Sequence, residues 1–356
     1  MKNGRSYPDF VAELERQAQT KEDFVVEQPA IIFDPCEGTH GSVHFSDSGN
    51  RPSYQLTTQA SKQLATRLGI PQKYYERMEK EQPVLLGRNV NQWLTDDPNK
   101  RTMIRVLDGQ ARAFLSDRYN RIDNYDVFTT VAPIFKEMAA NNNLTFASAQ
   151  LTERRMYFKV LFPRIEGELE VGDPVQAGVV IANSETGHGS FEISPLLYRL
   201  ICKNGMKSAD RITRRHVGSH VTADENGVAF RDETRKADDK ALMMKIEDTL
   251  RHCIDTAAFE NTVARFRETK EISFAGQNPA DVVQRLANTF NLSESEQSGV
   301  LTSLFESGDR LTGFGLINAV TACSQIVDDY DRATELEGLG GKMLDLKPAE
   351  WMQLAA

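Results

Sequence analysis

The run Val175–Ala182 puts Val175, Ala177, Val179 and Ile181 on one side of an extended chain. That period-two alternation is the mark of a half-buried strand. It closes a series of such runs. RTMIRVLDGQARAFLSDRYNRI (101–122) reads as two strands around Asp108-Gly109, since Asp-Gly supplies the positive φ that a tight hairpin demands. Leu144–Leu151 and Arg155–Phe162 read as two more, separated by Thr152-Glu153-Arg154. Between the pairs, Val127, Phe128, Val131, Phe135 and Met138 recur at helical spacing from Asn124 to Ala140, with Pro133 expected to bend the helix. The centre is therefore expected to be one antiparallel or mixed sheet of at least five strands crossed by a helix, an α+β arrangement.

Helical segments are expected on both flanks. Thr58 would cap a helix carrying Ala60, Leu64 and Leu68, which Gly69 stops and Pro71 restarts through Tyr74, Tyr75 and Met78. A third segment ends at Leu94. Toward the other end, Leu242, Met243, Ile246, Leu250 and Ile254 keep helical spacing. Ser293 and Glu296 form a capping box for a helix that Gly308 stops, and Thr312 caps the next. The polar stretch Ala223–Lys240 separates the halves. The expected organisation is an irregular leader over 1–55, whose opening from Asp9 to Glu27 is acidic and helix-like, an α+β core over 56–222, a linker over 223–240 and a helical region over 241–356.

Charge narrows the function. The chain carries a formal net charge of −9, yet between Arg199 and His216 six Lys/Arg face one acid, Asp210, a local +5. Such an inversion needs either buried ion pairs or an anionic partner. Lys203, Lys207, Arg211 and Arg215 would share one face if helical, and Arg214 and Arg199 add to them. Arg155 and Lys159 alternate with aromatic neighbours on a strand that Arg154 opens, a surface suited to a single nucleic-acid strand. The nine expected phosphate contacts are thus Arg154, Arg155, Lys159, Arg199, Lys203, Lys207, Arg211, Arg214 and Arg215. The competing reading pairs these cations with Asp108, Asp117, Glu185 or Glu192.

Catalytic signals are thinner. His40 and His44 lie four apart, but Gly38, Gly41 and the Val43/Phe45 alternation point to a turn entering a strand, not to a helical metal pair. His188, between Gly187 and Gly189, reads as a turn histidine or an exposed base. His216 and His220 bracket Gly218, which weakens a helical metal pair. No phosphate-cradling G-x-x-x-x-G-K-[ST] occurs. No catalytic residue, cofactor or metal is therefore assigned. Four widely spaced cysteines and the absence of a long apolar run lead to the expectation of a cytoplasmic protein with reduced thiols and no membrane partner.

Four pieces occur in a recognisable order: LTTQASKQLATRLGIPQKYYERM with NVNQWL, AFLSDRYNRIDNYDVF, IANSETGHGSFEISPLLYRLICKNGM with RHVGSH, and GFGLINAVTA. Spanning most of 55–325, they resemble the phage- and plasmid-borne family called domain of unknown function nine-three-two. Cys202-Lys203-Asn204-Gly205 departs from that family's more common Cys-Gln-Asn-Thr. The family carries no established activity. The resemblance implies a mobile-element setting in which recombination and replication proteins are frequent. The strand and helix order over 101–162 is also similar to the annealing core of Rad-fifty-two-like proteins, which implies a ring or filament of identical subunits needing neither nucleotide hydrolysis nor metal. The expectation is a protein that binds single-stranded DNA, with annealing as the activity the second likeness implies. Its rivals are a structural or regulatory mobile-element protein acting through its C-terminal helices, and a hydrolase or nuclease using His188 or His216/His220.

Overall fold

Ser6 opens the first helix by accepting the Asp9 N–H on its hydroxyl. The computed structural model describes residues 1–46, 52–119, 121–208, 212–214, 232–307 and 311–355. Helix α1 (Tyr7–Thr20) buries Phe10 and Leu14, four apart on one face. Strands β1 (Lys21–Glu27), β2 (Ile31–Asp34), β3 (Ser42–Phe45) and β4 (Tyr54–Leu56) follow. Then come helices α2 (Thr58–Arg67), α3 (Gln72–Glu81) and α4 (Pro83–Thr95), and the hairpin β5 (Arg101–Leu107) and β6 (Gln110–Ser116). Asp108 at φ 53 and Gly109 at φ 73 make the turn, as the Asp-Gly pair requires. These six strands form one sheet in the order β1-β5-β6-β4-β3-β2, with β4 and β6 its parallel pair. Helices α2 to α4 cover it over a core of Phe33, Val43, Tyr54, Leu64, Tyr75, Val90 and Phe114.

Helix α5 (Asn124–Asn142) runs unbroken through Pro133 and stops where Asn143 turns left-handed at φ 54. It leads to β7 (Thr145–Leu151), β8 (Met156–Glu168), β9 (Pro174–Asn183), β10 (Phe191–Arg199), β11 (Asn204–Lys207) and β12 (Ile212–Arg214). The second sheet has the order β11-β10-β9-β8-β7, and β12 pairs with β10 beyond that path. The C-terminal helices are α6 (Asp232–Cys253), α7 (Thr256–Glu268), α8 (Pro279–Phe290), α9 (Glu294–Glu306), α10 (Gly313–Cys323), α11 (Tyr330–Leu344) and α12 (Pro348–Ala355). One core joins them to the second sheet and to α1, through Phe10, Phe158, Val179, Leu250, Phe266, Val320 and Leu336.

The fold is α+β, with two sheets where the sequence suggested one. The reason is edge occupancy. Strand β5 is already paired with β1 along its length, and β6 with β4. Strand β4 takes only Gln110 and Ala111 of β6, the Phe114 N–H farther along goes to Gln63 of α2, and α5 carries the chain to a separate sheet. The stretch read as an irregular leader is likewise structured: its acidic opening is α1 followed by β1, and β2 and β3 complete the first sheet's far edge. Residues 232–240, read as part of a linker, lie within α6, and 223–231 fall outside the described residues. The Ser293/Glu296 capping box is present, and Thr312 caps α10. Gly308 lies outside the described residues. Among the described residues no helix is long and apolar enough to cross a membrane.

Candidate nucleic-acid interface

The loop from β9 to β10, Ser184–Ser190, is held between the two sheets by its own polar groups. The buried Asn183 amide donates to the Ile122 carbonyl at 2.8 Å and to Asn124 Oδ1 at 2.9 Å. Tyr119 donates to the Ser184 carbonyl at 2.8 Å, and Gln63 donates to the Thr186 carbonyl at 2.6 Å. The other end of that Gln63 amide accepts the Phe114 N–H of β6. Glu185 accepts the Asn124 N–H at the start of α5 and pairs with Arg112 at 2.5 Å, a carboxylate placed on the positive end of a helix. Ser184 and Thr186 both donate to the Arg154 carbonyl, tying the loop to the β7–β8 turn.

Beneath the loop lies a charge network. Arg105, fully buried, donates to the Glu185 carbonyl at 3.1 Å and pairs with Asp23 at 2.8 Å and Asp123 at 2.5 Å. Burial works against its charge, but Asp123 and Asp23 outweigh it and keep the guanidinium ionised. Burial likewise opposes the Asp123 carboxylate, while Arg105 and Lys21 hold it below the usual range. Asp23, Asp123 and Glu185 are each committed to a cation, so the cluster fastens the sheets together and offers no spare acid or base.

The structure divides the nine expected phosphate contacts. Three lie in the interior, where no phosphate reaches them. Lys159 is 0 % exposed and reaches Glu337 of α11 at 2.6 Å, over the Tyr330 ring. Arg199 pairs with Asp173 at 2.7 Å, and Lys207 with Glu192 at 2.8 Å, all four buried. Glu192 was among the acids weighed from the sequence. Glu337 and Asp173 were not, because Glu337 lies 178 residues from Lys159 and nothing local marks the pairing. A signal did exist: Lys159 is the lone charge in MYFKVLF (156–162), and seven otherwise apolar residues in a strand imply burial on both faces.

The remaining cations fall at two ends of the second sheet. Pairing of Met156 with Asn183, Ala182 with Glu192 and Phe191 with Arg214 brings three segments to one end. These are the Arg154-Arg155 turn, the β9–β10 loop and the β12 backbone at Arg214. Lys203, exposed in the β10–β11 turn at φ 51, sits at the opposite end, about 30 Å away by the length of a nine-residue strand. Arg211 and Arg215 lie outside the described residues, as do His216 and His220.

At the loop end Arg154 is exposed and makes no ion pair among the described residues. Arg155 is half-buried, over the Tyr157 ring, and reaches Glu192 only at 3.7 Å. Gly189 is required beside it: at φ 156 the backbone disfavours a side chain, and a Cβ there would meet the Arg155 guanidinium at 3.0 Å. His188 turns its Nδ1 to Thr186 Oγ1 at 3.2 Å. Burial, then the charges of Arg154 and Arg155, push its imidazole below the ordinary histidine value. His40 and His44 do not share a ligand. His44 pairs with Asp34 and His40 with Glu79, and among the described residues no group of His, Cys, Asp and Glu is arranged to hold a metal.

The family model for "Domain of unknown function (DUF932)" matches residues 113–335, well over half of the chain. The chain belongs to this family. The DUF932 match begins inside β6 and ends inside α11, so it takes in the second sheet and the β9–β10 loop and stops two residues short of Glu337. It omits α1 to α4 and the first five strands. No curated protein and no solved structure matches the chain. The likeness to Rad-fifty-two-like proteins is unsupported, and the strand order that suggested it is split between two sheets.

Proposed function

We propose that this DUF932 protein binds single-stranded DNA across the loop end of its second sheet. The observation that carries the reading is convergence: the β7–β8 turn and β12, some sixty residues apart in sequence, meet at the two sides of one glycine-bracketed loop. Arg154 and Arg155 stand at that end, and Arg214 is flanked in sequence by Arg211 and Arg215. The half-buried His188, held below the ordinary histidine value by burial and by Arg154 and Arg155, lies between. Lys159, Arg199 and Lys207 are spent in the interior and Lys203 is remote. The binding set therefore shrinks from nine cations to five: Arg154, Arg155, Arg211, Arg214 and Arg215.

Each phosphate neutralised on a single strand contributes about −0.7 to the slope of log affinity against log salt. Five contacts give a slope of about −3.5, roughly a hundredfold loss between about 50 and 200 mM salt. Fluorescence anisotropy with a labelled oligonucleotide measures it. Arg154→Glu with Arg155→Glu should flatten the slope by about 1.4, one contact each, and Lys203→Glu should leave it unchanged. Binding that ignores salt, or a doubly reversed variant that binds as tightly as the unaltered chain, overturns the reading. Tighter binding of RNA of the same sequence would reassign the ligand.

A further inference from the structure

A second site lies on the first sheet, outside the DUF932 match. Three elements bring a hydroxyl, an imidazole and a carboxylate into one line. Thr58 Oγ1 is 2.9 Å from His40 Nε2, and His40 Nδ1 is 3.0 Å from Glu79 Oε1. His40 stands in the β2–β3 turn, Thr58 is the first residue of α2, and Glu79 projects from α3. Ser61 donates to the same Glu79 oxygen at 3.3 Å. An ionised Glu79 accepts only, so Nδ1 carries the proton, Nε2 is the acceptor, and the Thr58 hydroxyl donates to it. A hydroxyl on a base that a third group orients is the arrangement of an activated nucleophile.

Two further features fit. The sequence suggested Thr58 as the helix cap, but Thr57 does that work, accepting the Ala60 N–H at 3.2 Å on its hydroxyl and the Ser61 N–H on its carbonyl. The Thr58 hydroxyl is thereby released, and the first-turn N–H groups of Thr58 and Gln59 are left at the positive end of the helix. Thr58 follows β4 and its cap as the first residue of α2, so its hydroxyl stands at the positive end of the helix beside first-turn N–H groups. His40 and Glu79 of the relay line a groove of about 570 Å³ together with Gln55, Lys80 and Gln110, and the exposed Thr58 meets it through His40 Nε2. His40 is about one third exposed and Glu79 largely covered, as a base facing substrate and its buried orienter would be.

We propose that Thr58, His40 and Glu79 form an acyl-transfer site for small carboxylic esters with polar substituents, matched by the amides and Lys80 of the groove. Thr58 Oγ attacks the ester carbonyl while its proton passes to His40 Nε2. The bond to the leaving alcohol breaks, and that alcohol takes the proton from Nε2. Water then attacks the acyl-threonine, gives a proton to Nε2, and releases the acid as the proton returns to Thr58. Thr58 and His40 are the catalytic residues and Glu79 is a positioning residue.

The test is covalent capture on the full chain. With p-nitrophenyl acetate or a fluorophosphonate, peptide mass spectrometry should find the adduct on Thr58. Thr58→Ser should retain it, and His40→Asn should slow it by about a hundredfold or more. Glu79→Gln should lower the labelling rate at saturating reagent and leave the half-saturating concentration unchanged, a split that a merely structural carboxylate would not produce. Absence of any adduct on Thr58 in the unaltered protein overturns the proposal, whatever the variants do. So does labelling that persists at full rate in His40→Asn. Neither outcome bears on strand binding at the other sheet.

Discussion

Lys159→Met should destabilise the fold by several kcal/mol and leave oligonucleotide binding untouched. Methionine keeps most of the lysine volume, so the cavity left is small. What is lost is the ion pair. Glu337 is 0 % exposed, its Oε2 sits 2.6 Å from Lys159 Nζ, and its Oε1 has no hydrogen-bond partner. Removing the ammonium leaves a buried carboxylate without compensation, which costs about 3–5 kcal/mol, a large share of a typical total of about 5–15. Lys159→Met with Glu337→Leu removes both charges and should recover most of the loss, giving a coupling energy of about 3 kcal/mol in a double-mutant cycle. The sign against pH is also set. Burial works against the Lys159 ammonium, but Glu337 and Tyr330 outweigh it and raise its value above that of a free lysine. The pair's stabilisation is therefore fully present below about pH 10.4 and is lost as pH rises through the higher folded value; the double variant should lack that alkaline loss. Urea denaturation followed by circular dichroism measures each term. A single variant within about 1 kcal/mol of the unaltered chain would refute the burial argument. So would one that unfolds normally yet binds DNA poorly, which would return Lys159 to the surface.

The other expectations concern titration and thiols. His188 is held below its ordinary value, so the folded state favours the neutral ring; the stability this carries is present above about pH 6.5 and lost as pH falls through the folded value. A bound phosphate favours the charged ring, so oligonucleotide affinity should rise from pH 7 toward 5.5 in the unaltered chain and stay level in His188→Gln; a fall would count against the loop as the binding end. Burial pushes the Cys253 thiol to about 12 and the Cys323 thiol to about 11, whereas Cys36 is exposed. Iodoacetamide mapping at pH 8 should modify Cys36 first and reach Cys253 and Cys323 only on unfolding. Ser293→Ala removes half of a formed capping box and should cost about 1 kcal/mol by thermal melting.

What could be read from the chain and what could not divides by sequence distance. Asp108-Gly109, the Ser293/Glu296 box and the spacing from Val127 to Met138 act within a window of a few residues, and each produced the element it implied. The strand β1 shows the limit. Its sequence KEDFVVE continues the acidic pattern of α1, so it reads as more helix. It is a strand because β5 offers it an edge and because Asp23 is claimed by Arg105, eighty-two residues on. The cations failed in the same way. The apolar run around Lys159 implies burial, but the acids that Lys159 and Arg199 meet there come only with the arrival of α11 and of Asp173.

The same rule explains the missed relay. His40 was weighed with His44, its neighbour by number, whereas its partners are eighteen and thirty-nine residues away on two helices. Thr58 was read as a cap because a threonine before an apolar run usually is one. The true cap is one residue earlier, and that single-residue shift frees a hydroxyl to face an imidazole. A window on the sequence sees which residue types are near; it does not see which of two adjacent threonines the backbone will spend. The charge reversal over 199–216 is ambiguous for that reason. Local excess charge signals a partner, and the distinction between an internal acid and an external phosphate is made only by the register of the strands.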